Sequence, residues 1–217
     1  QRQMCIRDSG NTVDPWSVLN TQGADAVRWF FYNNAAPWMP NRFHAKAIDE
    51  TTRKYMGTLW NTYAFFILYA EIDQFNPKEH PLDKVELTLM DKWILSRLNS
   101  LIREVDGDLN EYKIFEASRA MTDFVDDLSN WYVRRSRERF WGKGMAGDKE
   151  AAFATLYHIL ETMSRLTAPF TPFMAEKMYR NLVCSIDKDA PISVHMTDFP
   201  VCDERYINLS LIHISEP

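Results

Sequence analysis

Between positions 88 and 106 the chain reads TLMDKWILSRLNSLIREVD, with Met90, Trp93, Ile94, Leu98, Leu101, Ile102 and Val105 at steps of three and four. That spacing gathers them on one side of a helix of 3.6 residues per turn; a half-buried strand would alternate instead. The same pattern recurs along the chain. From about Ala45 to Asp73 it selects Tyr55, Met56, Leu59, Trp60, Tyr63, Phe66 and Ile67. From near Lys113 it selects Ile114, Ala117, Met121, Phe124, Val125, Leu128 and Trp131. From about Lys149 to Leu166 it selects Phe153, Leu156, Leu160, Met163 and Leu166, and Thr171 with Pro172 starts a shorter helix reaching about Leu182. The breaks between them, NPKEHP, GKGMAGD and APFTP, are short. Successive amphipathic helices on short connections bury their stripes against one another, so the expected fold is all-α, an antiparallel helical bundle. Only 7 glycines in 217 residues fit long helices better than many tight turns. The stretch ISVHMTDFP (192–200) alternates weakly and is expected to be extended at most.

A shorter helical segment precedes the bundle. In VDPWSVLNTQGADAVRWFFYNN, Asp14 is placed to cap a helix whose first position is Pro15, where the missing N–H costs nothing. Gly23 breaks this helix, and a second is expected from Ala24 to about Asn33. AAPWMP (35–40) reads as a stiff linker between two units. The extreme ends, QRQMCIRDS and LSLIHISEP, share no periodicity with what they flank and resemble translated adapter sequence. Residues 1–9 and 205–217 are therefore read as non-native flanks, outside the fold reasoning.

Composition narrows the chemistry. Cys5, Cys184 and Cys202 form no CxxC pair, and His44, His80 and His158 are scattered, so no metal site is expected and a reducing, cytoplasmic setting is. No apolar run approaches the ~20 residues needed to cross a bilayer. His195, Glu161, Glu176 and Cys184 show no partner that marks catalysis. The formal net charge of −5 gives no global attraction to nucleic acid, so any such affinity has to be local.

One such locality exists. NWYVRRSRERFW (130–141) interleaves four arginines with four aromatic rings. From Arg134 to Lys143 five bases (Arg134, Arg135, Arg137, Arg139 and Lys143) face one acid, Glu138. Arginines ending a helix also suit its dipole, which is the purely structural reading. Helical phase separates the residues. Asp127, Asn130, Arg134, Arg137 and Trp141 follow one polar face, whereas Arg135 falls beside Leu128 and Trp131 on the inward side. On a straight helix Arg135 is thus a structural ion-pair partner, and Trp131 packs inward rather than stacking on a base. Arg134, Arg137, Arg139, Lys143, Asn130 and Trp141 form the candidate RNA-binding set. Guanidinium groups hold phosphates bidentately, and splayed bases stack on rings.

Several motifs carry a resemblance. LWNTYAFFILYA (59–70), DLSNWYVRRSRERFW (127–141), LTAPFTPFMAEKMYRNL (166–182) and SVHMTDFP (193–200) together resemble the C-terminal half of isoleucyl-tRNA synthetases, a class I aminoacyl-tRNA synthetase family. The likeness spans about residues 10–204. It implies that residues 10–40 end a stem-contact region and that residues 41–204 form the helical anticodon-binding domain. Gly10 and Asn11 resemble the tail of the KMSKS signature loop, but MCIRDS stands where its lysines would be. The HIGH-motif nucleotide fold and the editing domain are missing as well, so no catalytic residue is expected in this chain, and it should activate nothing alone. ATP with magnesium would be used by the complete enzyme, with tRNA(Ile) and the catalytic domain of the same polypeptide as partners, in a monomer. Asp25 and Arg28, in GADAVRWF, are expected to pair with each other, with direct ligand contact as the alternative. Two rivals stay open: a helical protein-interaction module without RNA affinity, and the equivalent domain of a valine or methionine enzyme.

Overall fold

The computed structural model describes residues 14–39, 43, 45–142, 144 and 147–212. Gly10 and Asn11, and the N-terminal flank, lie outside them. Helices α1 (Pro15–Gln22) and α2 (Ala24–Asn33) have the expected bounds. The Asp14 carboxylate accepts the backbone N–H groups of Trp16 and Ser17, and Gly23 separates the helices at φ 88°, a left-handed conformation that favours glycine. Helix α3 is built in three joined pieces: Ala45–Thr52, a π turn over Arg53–Gly57, and Thr58–Ile72. Helix α4 is Leu89–Asn110, started by a reciprocal cap in which Thr88 Oγ1 accepts the Asp91 N–H and Asp91 Oδ2 accepts that of Thr88. Helix α5 joins Ile114–Asp126, a π turn over Asp127–Val133, and Arg134–Trp141. Helix α6 is Asp148–Thr167, α7 is Pro172–Tyr179 ending in a π turn over Arg180–Cys184, and α8 is the short Leu209–Ile212. Among the described residues there is no strand. ISVHMTDFP is not simply extended, because Val194–Met196 closes a 3₁₀ turn.

A tight turn with Tyr112 at φ 60° folds α5 back along α4. Helix α6 occupies the centre, with Ala151, Ala152, Phe153, Leu156, Ile159 and Leu160 out of contact with solvent. Its small residues let neighbours approach from several sides. One continuous core runs from α2 through α7.

The entry helices are tied into this core. A small cluster of Val18, Ala26, Phe30 and Ile48 joins α1, α2 and the start of α3. Trp29, on the other side of α2, lies stacked on Tyr55 with ring centroids 3.7 Å apart and planes inclined by 12°. The expected Asp25–Arg28 ion pair does not form. The buried Asp25 carboxylate instead accepts the N–H groups of Met174 (2.7 Å) and Phe173 (3.4 Å) at the start of α7. Burial raises its pKa, opposed by those two N–H groups and by the nearby charge of Arg28. Arg28 donates to the carbonyls of Pro169 (2.7 Å) and Phe170 (3.1 Å). Both residues are structural, but each secures backbone at the α6–α7 corner. Past Arg205 the chain continues along α4, where Asn208 N–H donates to Ser96 Oγ at 2.8 Å.

Candidate nucleic-acid interface

The site is built on the second half of α5, and the π turn decides which residues it presents. Arg134 N–H donates to Ser129 O, five residues back, so the helix is wider here than an α-helix. Up to Leu128 the buried positions follow the expected stripe of Ala117, Met121, Phe124, Val125 and Leu128. After the wide turn they are Tyr132, Val133, Ser136 and Phe140. The inward face has slipped by one residue.

Two expectations fail for that reason. The apolar spacing puts Trp131 on the core stripe, but it is 41% exposed. Helical phase puts Arg135 inward as an ion-pair partner, but it is exposed, and its guanidinium lies over the Trp131 ring at 4.4 Å from the centroid. This is a cation–π arrangement, and it presents a ring and a flat cation together on the outer face.

Arg139 is the third correction. The sequence pattern assigns it to the RNA-binding surface, but its side chain is only 13% exposed and it is turned against α4. Its two terminal nitrogens donate to the two oxygens of Asp91 at 2.8 and 2.7 Å, and Nε lies 2.7 Å from Asp148 Oδ1. Tyr132 donates its hydroxyl to Asp91 at 2.7 Å. Burial disfavours the Asp91 charge, but the hydrogen bonds from Arg139, Thr88 and Tyr132 outweigh it and hold its carboxyl below the usual carboxylate range. Arg139 therefore fixes the base of the site.

The remaining residues face outward. Arg134 and Arg137 are exposed, and neither forms an ion pair within 4 Å among the described residues. Asn130 is exposed, its amide held by Asp126 at 2.6 Å. Trp141 is 56% exposed, with its indole N–H fixed on Tyr69 Oη at 2.8 Å. Lys143 lies outside the described residues. Three guanidiniums outside any ion pair and two half-exposed indoles thus lie on the outer side of the helix, with Glu138 among them and Asp126 at the Asn130 end. Such a surface can clamp phosphates and stack bases. It offers no nucleophile or general base, and among the described residues no group of three His, Cys, Asp or Glu side chains is arranged to hold a metal ion.

The two glutamates without a catalytic partner in the sequence have structural ones. Glu161 pairs with Arg165, and Glu176 with Arg180 and the Ser193 hydroxyl. No helix of the described residues is long and apolar enough to cross a membrane.

Comparison with known proteins agrees with this geometry. The model of the anticodon-binding domain of tRNA ligases matches residues 91–215, which include nearly all of α4 and the whole of α5 and α6. An isoleucine–tRNA ligase of Clostridium novyi is 54% identical over 205 residues, 94% of this chain and 20% of that protein. Those of Dehalococcoides mccartyi (50% identical; 94% of this chain, 20% of that protein) and Bacteroides fragilis (46%; 93% and 18%) align similarly. The chain therefore spans about a fifth of the length of the curated relatives it matches. A crystal structure of a LeuRS–tRNA–LeuAMS ternary complex from Agrobacterium radiobacter shares the fold, with a TM-score of 0.66 at 18% identity over 93% of this chain and 22% of that one. A bundle whose fifth helix turns free arginines and indoles outward, matched over more than half its length by one family model, belongs to the anticodon-binding domains of tRNA ligases.

Proposed function

We propose that this chain is the anticodon-binding part of an isoleucine–tRNA ligase and grips the anticodon stem and loop of tRNA(Ile). The observation that carries the reading is the outer face of α5, where Arg134, Arg135 and Arg137 are exposed beside Trp131 and Trp141. Its guanidiniums would hold backbone phosphates, and its indoles would take splayed loop bases. Asn130 would add an amide at the rim. The grip would position the acceptor end of the tRNA for attachment of isoleucine in the complete cytoplasmic enzyme. ATP and magnesium would act there. The described residues do not fit a metal site, and no step is assigned to them.

Fluorescence anisotropy with a labelled tRNA(Ile) transcript tests this reading. Arg134→Ala/Arg137→Ala should weaken binding and lower the slope of log K against log salt by about two, roughly one for each phosphate no longer neutralised. An unchanged curve would favour a protein-interaction module. Equal affinity for valine and methionine transcripts would remove the assignment to isoleucine.

A further inference from the structure

A groove of about 350 Å³ opens where the end of α3 meets the π turn of α7. Its floor is aromatic. Phe66, Phe75 and Tyr157 line it, with ring centroids 6.1 to 6.4 Å from one another. Ile67 and Ala70 enter it from α3, and Leu182 and Ile186 from the chain around the π turn. None of these residues belongs to the arginine face of α5.

Both sides are held in place. Gln74, at φ 52°, turns the chain so that Phe75 N–H donates to Ala70 O at 2.9 Å, and the Phe75 ring lies on Phe153 at 5.2 Å. Pro77 lines the groove on one side and Ile186 on the other. Their neighbours Lys78 and Asp187 form an ion pair at 3.1 Å that ties the two sides together and matches the lysine charge. The polar groups of the lining share one property. Tyr157 donates its hydroxyl to Leu182 O at 3.2 Å, Ser185 its hydroxyl to Asn181 O at 2.5 Å, and Asn181 its amide to Tyr63 Oη at 2.6 Å. Each has spent a donor on its own chain and keeps an oxygen that can accept. Glu71, exposed at the rim, forms no ion pair within 4 Å among the described residues.

From this we infer that the α3–α7 groove binds a small organic cation, an ammonium carried on a short apolar body. An ammonium offers donors and no acceptor, which matches a lining whose oxygens are free to accept. Its charge answers the unpaired Glu71 carboxylate and the electron-rich faces of aromatic rings. The apolar body fits the space between Ile67, Ala70, Leu182 and Ile186, a volume at the small end of ligand sites. No lysine or arginine lines the groove. An anion would find one carboxylate and a set of acceptors, and is excluded.

The test titrates the isotope-labelled 217-residue chain with phenethylammonium and follows its backbone amide signals by NMR. Signals of the groove residues, Ile67, Ala70, Gln74 and Ile186 among them, should shift saturably with a Kd of about 1 mM or tighter, within reach of a ligand of that size. Phenethyl alcohol, the uncharged analogue of the same shape, should bind about three- to fivefold more weakly, and phenylacetate should not bind. Glu71→Gln should weaken the ammonium by the same three- to fivefold, roughly the worth of an exposed ion pair, and leave the alcohol unchanged. Ala70→Met fills the groove from α3 and should abolish binding of both. Ile186→Trp fills it from the other side with the same result, and the thermal midpoint of each variant separates a blocked groove from a damaged fold. Equal affinity for alcohol and ammonium, shifts confined to other residues, or no saturable shift would overturn the inference. Tighter binding of Nα-acetyl-lysine amide would assign the groove to a protein side chain and also overturn it.

Discussion

The two halves of α5 obey different arithmetic. In Ile114–Asp126 the 3.6-residue repeat holds, and Ala117, Met121, Phe124 and Val125 are buried where the stripe puts them. In Arg134–Trp141, beyond the π turn, the same repeat would turn both Arg135 and Arg139 inward, seven and eleven residues past Leu128; the structure exposes Arg135 and keeps only Arg139 against α4. Arginines four residues apart consequently have opposite jobs. One slipped residue is enough to convert a packing position into a binding one, which accords with the frequency of π turns at functional sites.

The contrast between inner and outer arginines is the sharpest to break. Arg139→Ala leaves Asp91 buried without its charge partner and should cost about 3–5 kcal/mol in urea unfolding. Arg134→Ala should stay within about 0.5 kcal/mol. Equal losses would dissolve the distinction between the two faces.

A smaller effect is expected at the slipped indole. Trp131→Ala should lower the affinity for tRNA(Ile) by about 1–3 kcal/mol, the worth of one stacked base, while the unfolding midpoint changes little. A large stability loss with normal RNA affinity would return Trp131 to the core.

The inner network also has a pH signature. Because the folded Asp91 pKa lies below its unfolded value, the network's contribution is complete above the ordinary carboxylate range. It should fade as pH falls through that range toward the folded pKa. Urea midpoints measured from neutral pH down to about 3, spanning the ordinary carboxylate pKa, should show a shallower acid loss in Asp91→Asn than in the wild type. Parallel profiles would mean that Asp91 does not carry the linkage.

A modest effect belongs to a site whose structure is set locally. Asp14→Ala removes an exposed cap on α1 and should cost about 1 kcal/mol or less by thermal denaturation.

These cases also mark what is legible in the sequence. Asp14 with Pro15, Gly23, and the long stripes of α4 and α6 each carry their instruction within a few residues, and the all-α bundle follows from them. The wide turn in α5 is not written that way. From Leu128 a three-residue step reaches Trp131 and a four-residue step reaches Tyr132, both aromatic, so spacing alone leaves the face undecided. Tertiary chemistry decides it, because the Tyr132 hydroxyl has a buried acceptor in Asp91. The carboxylate that holds Arg139 is beyond local reading for the same reason, since it lies 48 residues away. The Asp25 interaction with the start of α7, 149 residues distant, lies equally beyond local reading. Arg134 and Arg137 face outward as their helical phase indicates, because the slip moves the inward face without covering them.

The Trp29–Tyr55 ring pair has a mechanical consequence. Two flat plates pressed together inside a close-packed interior cannot slide without opening a void. The entry helix is therefore keyed to the bundle like a shaft to its housing. A displacement of α2 should carry Tyr55, and with it α3, along.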